Sequence, residues 1–288
     1  MPSQHMVQAN GLRFRTIVDG PPSGELAILL HGFPEGAESW TRQVGALAKA
    51  GALAVAPDMR GYGMTDAPND VEDYAVQKLV DDVAAIIAAF GRTEAHIAGH
   101  DWGALVAWFF AGAHPEMTKS LTVLSVGHPA AIAEAGWKDE DQRKRSSYIG
   151  LFMLQGKAEQ VLAKDDYRGL RDFYALPPNP QAVPRSVVEN YVKSLSRPGR
   201  LTAALNYYRA NFSDPPAWAA GAGQLRVIAP TVLLWGDQDP ALGRLQAETT
   251  TRHMTGDYRL DVLEGAGHWL QFERPDEVGR SLVEVVTK

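Results

Sequence analysis

The sequence predicts an α/β domain, a mostly parallel sheet flanked by helices and interrupted by one inserted block of helices. Three observations carry this. Short, continuously apolar runs such as Ala27-Ile28-Leu29-Leu30 and Leu53 to Ala56 have the pattern of strands covered on both faces. These runs alternate with helical spacing as far as Leu121 to Val126, and that alternation builds parallel sheets. From His128-Pro129 to about Gln224 the strand pattern disappears, and it then resumes. The expected organisation is a core over residues 1–128, a helical lid over 129–225 and the rest of the core over 226–288.

In chain order, Phe14 to Val18 alternates and reads as an edge strand, and Pro21-Pro22-Ser23-Gly24 turns the chain. The Ala27 to Leu30 strand runs into His31-Gly32-Phe33-Pro34-Glu35. Ser39 to Ala50 has helical spacing, Leu53 to Ala56 is a buried strand, and Asp58 to Pro68 is a polar loop. Leu79, Val83, Ile86, Ile87 and Phe90 mark one face of an amphipathic helix. Ala95 to Ala98 is the next strand, Leu105 to Ala113 a helix and Leu121 to Val126 a strand. The inserted block has helical stretches at Lys138 to Leu154, Ala158 to Tyr174, Val187 to Ser194 and Leu201 to Phe212. Proline breaks fall at Pro177-Pro178-Asn179-Pro180, Pro198 and Pro215-Pro216. Thr231 to Trp235 and Arg259 to Val262 are further strands, and Ser281 to Val286 is a closing helix.

Length and composition bound the function. A chain of 288 residues, 45% hydrophobic, can bury a large core, typically roughly three quarters of its unfolded surface. The net charge of −6, with no block of like charge, leaves no footprint for nucleic acid or an anionic membrane. Arg143-Lys144-Arg145 follows Asp139-Glu140-Asp141 and reads as a mixed, solvated helix face. The absence of cysteine excludes disulfides and thiolate metal sites and fits a reducing, cytoplasmic setting. The apolar run Trp102 to Pro115 is too short to span a bilayer, and Met1 to Gly11 lacks the pattern of a secretion signal.

Ala98-Gly99-His100-Asp101-Trp102-Gly103-Ala104 joins a strand to a helix through a sharp turn. This is the layout of a nucleophile elbow, with aspartate at its centre. Alone it could be a loop with a helix-capping Asp. As an elbow, it needs small residues two positions before and after the centre, where Gly99 and Gly103 stand. The following helix favours an anion at Asp101. A carboxylate attacking an ester gives a mixed anhydride with little driving force, whereas attack on an sp3 carbon with a leaving group gives an ordinary alkyl ester. Epoxides and alkyl halides are the matching electrophiles, and the ester must then be hydrolysed by activated water.

Asp239 and His268 supply the remaining parts, each directly after a predicted strand, in the chain order nucleophile, acid, base. His268, in the glycine-rich loop Glu264 to Trp269, is the expected base. Asp239 is the expected acid that orients it, with Asp237 as rival. The backbone amides of Phe33 and Trp102 can face a developing oxyanion. Pro34 has no amide to give and shapes that loop, a cis bond being one route. His31 and His100 read as structural, and Glu35 as a residue that holds the oxyanion loop or sits near the site.

These motifs, His31-Gly32-Phe33-Pro34-Glu35, Arg60-Gly61-Tyr62-Gly63, Gly99-His100-Asp101-Trp102-Gly103, the Asp239 loop and Gly267-His268-Trp269, span nearly the whole chain. Together they make it resemble the α/β-hydrolase-fold epoxide hydrolases. The resemblance implies a cofactor-independent enzyme that opens an epoxide to a vicinal diol, with Phe33, Trp102 and two lid tyrosines lining the substrate. In that family the tyrosines bind and protonate the epoxide oxygen. Leu205-Asn206-Tyr207-Tyr208-Arg209 looks like the second tyrosine motif, which carries over to Tyr208, and Tyr148 looks like the first. Tyr167, Tyr174, Tyr191 and Tyr207 read as packing residues. Epoxide and water are then the partners, with no nucleic acid, membrane or metal, as a monomer or homodimer. The alternatives are a haloalkane dehalogenase, for which Trp102 would suit but a second halide donor is not evident, and a binding protein that has lost catalysis. No His-Glu-x-x-His or phosphate loop supports metal or nucleotide chemistry.

Overall fold

The computed structural model describes residues 2–288. The chain opens with β1 (Ser3–Ala9) and β2 (Leu12–Asp19), an antiparallel hairpin in which Ala9 faces Leu12. Its two-residue turn is Asn10-Gly11, both at positive φ (47° and 75°), the conformation that matches the twist of paired strands. The Phe14 to Val18 strand is therefore not the edge. β1 takes that place, and its mostly exposed, polar composition gives no burial pattern to read.

β3 (Leu26–Leu30), α1 (Thr41–Lys49), β4 (Leu53–Pro57), α2 (Val76–Ala89), β5 (Ala95–His100), α3 (Trp102–Ala113) and β6 (Thr118–Leu124) follow. After the insertion come β7 (Thr231–Gly236), a short helix at Arg244–Thr249, β8 (Tyr258–Leu263) and two helices at Leu270–Glu273 and Pro275–Val286. The eight strands lie in the order β1-β2-β4-β3-β5-β6-β7-β8, parallel from β4 onward. Period-two alternation sends successive side chains of β3 to opposite faces. Ala27 and Leu29 pack with Trp40, Val44 and Leu47 on one side, together with Val278 and Leu282 of the last helix. Ile28 and Leu30 pack with Leu79, Val83, Ile86 and Val106 of α2 and α3 on the other.

Strand order reverses at β3, which lies between β4 and β5. Loops leaving the carboxyl ends of β3 and β5 diverge there and open a crevice, the usual place for a ligand in a doubly wound sheet.

Between β6 and β7 the described residues form seven helices and no strand, α4 (Pro129–Lys138), α5 (Glu140–Arg145), α6 (Tyr148–Phe152), α7 (Lys157–Tyr174), α8 (Arg185–Leu195), α9 (Arg200–Phe212) and α10 (Pro215–Gln224), before an isolated bridge from Val227 to Met254. Two departures from the sequence reading have local causes. The expected helix from Lys138 to Leu154 breaks at Asp139, whose extended backbone and side chain cap α5 by accepting from the Asp141 amide at 2.9 Å. Pro215 and Pro216 do not end a helix but begin one. They stand in its first turn, where a missing N–H costs nothing, and Asp214 caps it from the Ala217 amide. α7 is itself divided by a left-handed turn at Asp165, Asp166 and Tyr167. No helix among the described residues is long and apolar enough to cross a membrane.

Candidate active site

Asp101 is the first residue after β5 and takes φ 52°, ψ −118°. The glycines around it are there for space. A Cβ on Gly99 would meet the Gly103 carbonyl oxygen at 2.2 Å, and one on Gly32 would meet the Asp101 side chain at 2.4 Å. The turn can therefore form only with bare backbone at these points. It lifts the Asp101 carboxylate above the sheet at the start of α3.

The two carboxylate oxygens of Asp101 have different neighbours. Oδ1 accepts the Phe33 backbone amide at 2.8 Å, and Oδ2 lies 3.7 Å from His268 Nε2. The Phe33-Pro34 bond is cis, and the Tyr174 hydroxyl donates to the Pro34 carbonyl. On its other side, His268 Nδ1 is 2.8 Å from Asp239 Oδ2, while Asp239 Oδ1 accepts the Ala241 and Leu242 amides. Asp239 thus faces the imidazole, and Asp237 turns away to the Gly265 amide. With both flanking partners acceptors, Nδ1 carries the proton given to Asp239, and Nε2 is the nitrogen that can exchange one with the cavity.

Burial works to raise the Asp101 carboxyl, but the nearby His268, the His100 charge and the Phe33 amide outweigh it and hold the group below the usual carboxylate range. Burial works to lower His268. Asp239 and Asp101 overcome it, by charge and by hydrogen bond, and the imidazole is raised well above its ordinary value. Both shifts report one coupled pair, carboxylate with imidazolium.

A cavity of about 490 Å³ opens onto Asp101 and His268. Tyr148 of α6 and Tyr208 of α9 stand in its wall with Phe33, Phe173, Leu176 and Trp269. The two tyrosine rings meet edge to face at 6.3 Å. Burial, then the Asp101 and Asp239 charges, raise the Tyr148 phenol, and a hydrogen bond with Tyr208 opposes them. Burial and the Tyr148 and Asp101 groups raise Tyr208, against a hydrogen bond with the Trp102 side chain. Both remain protonated donors at neutral pH. The other tyrosine of the motif packs elsewhere: Tyr207 donates to the Arg60 carbonyl. Among the described residues no group of three or more His, Cys, Asp or Glu could hold a metal ion.

The sequence pattern described as alpha/beta hydrolase fold matches residues 27–275. The chain belongs to the α/β-hydrolase fold family. Similar proteins within it include several named epoxide hydrolases and a protein named for the superfamily. The chain is 32% identical to Epoxide hydrolase A of Mycobacterium tuberculosis (strain ATCC 25618 / H37Rv), covering 99% of this chain and 98% of the relative. It is 33% identical to AB hydrolase superfamily protein YfhM of Bacillus subtilis (strain 168), covering 96% of each. The crystal structure of Epoxide Hydrolase A from Mycobacterium thermoresistibile superposes with a TM-score of 0.86 at 31% identity, over 100% of this chain and 98% of that one.

Against the sequence reading of this hydrolase, Trp102 is displaced. It was expected to line the substrate cavity. Its indole is instead 2% exposed and packs behind Tyr208, with ring centroids 5.1 Å apart, and it does not reach the cavity wall. Arg145 was expected on a solvated face. Its guanidinium donates to the Asp239 carbonyl, and one turn earlier the buried Gln142 holds the Ala241 carbonyl and the Gly243 amide. That i, i+3 pair turns one face of α5 onto the acid loop. His31 is structural as expected, Nδ1 donating to its neighbour's carbonyl and Nε2 accepting the Met59 amide. Glu35 is buried; its Oε2 accepts the Gly32 amide at 3.1 Å and lies 3.0 Å from His100 Nδ1. Its Oε1 accepts from Gln271 at 2.7 Å. It ties the oxyanion loop, the elbow and the segment after His268 together.

Proposed function

We propose that the chain is a cofactor-independent epoxide hydrolase that works through a covalent alkyl ester on Asp101, with residues 129–225 as the lid over the cavity. One observation carries the reading: two protonated tyrosines share a cavity wall with a carboxylate that has one oxygen held by an amide and the other 3.7 Å from His268 Nε2, beyond a good hydrogen bond. Epoxide opening calls for both parts, a nucleophile on carbon and an acid for the oxygen.

In the proposed sequence, Asp101 Oδ2 attacks a ring carbon and the ring C–O bond breaks. Its electron pair goes to oxygen, which takes a proton from the Tyr148 and Tyr208 pair. Tyrosine, with an ordinary pKa of about 10, is a competent donor to the much more basic alkoxide. Oδ1 becomes the ester carbonyl and already sits on the Phe33 amide, so the oxyanion formed later needs no rearrangement to find that donor. Esterification also removes the Asp101 charge, one of the influences that keep a proton on His268. The His268 proton passes to the tyrosinate left by ring opening, and the neutral imidazole then takes a proton from water as the water oxygen adds to the ester carbon. Collapse expels the diol oxygen, which receives that proton through His268. The second water proton, left on the Asp101 carboxyl, returns to His268 and restores the resting pair, and Asp101 keeps the water oxygen.

A haloalkane dehalogenase would use indole N–H groups to hold the leaving halide. The position of Trp102 behind Tyr208 does not favour that use. A binding protein without catalysis would have no need of the Asp101, Asp239 and His268 arrangement. The deciding experiment presents a styrene-type epoxide and a 1-haloalkane in parallel and reads diol and halide. Diol formation without halide release is expected, and halide release alone would overturn the proposal.

A further inference from the structure

Ser125 is the first residue after β6, as Asp101 is the first after β5, and like Asp101 it has positive φ, at 69°. Glycine adopts this backbone region without steric cost, whereas a residue with a Cβ is strained in it. Local fit alone therefore favours glycine at position 125. What serine adds is its hydroxyl, and the hydroxyl is used. Fully buried, it donates to the His268 backbone carbonyl at 3.0 Å.

The same carbonyl also takes the Nε2 proton of His100, at 2.8 Å. Two side chains from the ends of adjacent strands thus grip one main-chain oxygen, that of the residue expected to activate water. Ser125 is itself fixed: its amide donates to the Leu234 carbonyl at 2.8 Å, and its own carbonyl accepts from Gln246. The grip therefore refers His268 to the centre of the sheet. Asp239 holds the ring of His268 by Nδ1, which sets its rotation, but a ring can rotate correctly from a misplaced Cα and still miss its target.

We propose that Ser125 is a positioning residue for the water-activating step. Together with His100 it fixes the His268 main chain so that Nε2 reaches the water that hydrolyses the Asp101 ester. This rests on the two-step reading above. Ring opening uses Asp101 and the tyrosines and leaves His268 aside, so the two half-reactions should respond differently.

The test compares Ser125→Gly and Ser125→Ala with the wild type in single-turnover quench experiments on a styrene-type epoxide, following the Asp101 peptide by mass. Glycine relieves the backbone strain and removes the hydroxyl; alanine keeps the strain and removes the hydroxyl. Ester formation should stay at the wild-type rate in both. Ester decay should slow in both, on the order of 10-fold, as for a lost buried hydrogen bond that acts in the transition state. Thermal melts should show the glycine variant at least as stable as the alanine one. A role confined to backbone shape predicts the opposite for glycine, decay as fast as wild type, and that result overturns the proposal. Equal slowing of formation and decay also overturns it, as general damage to the site. If the wild type and both variants turn the epoxide over with no ester at all, the mechanism beneath the proposal fails, and the proposal with it.

Discussion

His268 Nε2 stands 3.7 Å from Asp101 Oδ2, while the other oxygen of the same carboxylate is occupied by the Phe33 amide at 2.8 Å. The separation is wider than a good hydrogen bond and leaves Oδ2 the freer of the two to attack. A base that is close to the nucleophile without being needed by it gives a clear expectation. His268→Gln should form the ester and fail to hydrolyse it, with decay slowed on the order of 10²- to 10⁴-fold. Intact-protein mass spectrometry after mixing with an epoxide that the wild type turns over should show an adduct equal to the substrate mass. A bare protein under those conditions would refute the ester.

The pH dependence of ester decay should differ from the titration of the resting enzyme. His268 is raised well above its ordinary value with burial opposed by Asp239 and Asp101, and the ester abolishes one of those two charges. Decay requires neutral imidazole, so its rate should rise with pH through a midpoint lower than that of His268 in the free protein. Single-turnover decay against pH, set beside an NMR titration of the free enzyme, checks this. Coincident midpoints would mean that the Asp101 charge does not hold the proton.

Tyr148→Phe and Tyr208→Phe each leave one donor and should slow ester formation about 10- to 100-fold, and the double change more, towards the 10²- to 10⁴-fold of general acid catalysis. The two hydroxyls interact, so their effects need not add. Phenylalanine keeps the edge-to-face packing of Tyr208 on Phe33 and Phe152, so folding should survive. Wild-type ester formation in the folded double variant would remove the acid role.

What could be read in the sequence was what repeats or what is chemically scarce. Continuous apolar runs gave the central strands because strands buried on both faces cannot be polar, and Asp101, Asp239 and His268 stood out because each follows a strand expected from the sequence. β1 escaped because an exposed edge strand need not be apolar; only Asn10-Gly11 pointed to it. Ser125 and Gln271 escaped for a different reason. Each acts through side-chain hydrogen bonds to residues more than a hundred positions away, and a lone serine or glutamine carries no pattern. The indole of Trp102 was misplaced because the elbow fixes where its backbone goes, while its side-chain direction is set by Tyr207, Tyr208 and Phe212 of α9.

His128 joins β6 to the helical insertion and should make the fold acid-sensitive. Its Nδ1 accepts the Ala130 amide, its Nε2 is buried without a partner, and its ring stacks on His253 at 5.3 Å. His253 in turn lies 3.8 Å from Glu134. Burial, then the charges of His253 and Arg226, lower His128 to about 3. A histidine depressed in the folded state favours the neutral form there, so its contribution is complete above the unfolded pKa of about 6.5 and is lost as pH falls from there towards 3. At pH 5 the loss from this one group is about 2 kcal/mol, from roughly 1.5 pH units at 1.36 kcal/mol each. His128→Asn offers a side-chain oxygen in place of Nδ1 and cannot titrate. The variant should be less stable than wild type at pH 7, since the ring packs against Trp108 as well as His253. Between pH 7 and pH 5, however, it should lose about 2 kcal/mol less. Urea unfolding of both proteins at the two pH values measures the difference directly, and other groups, such as the also depressed His96, cancel between them. Equal acid sensitivity in the two proteins would show that His128 is not the group that titrates.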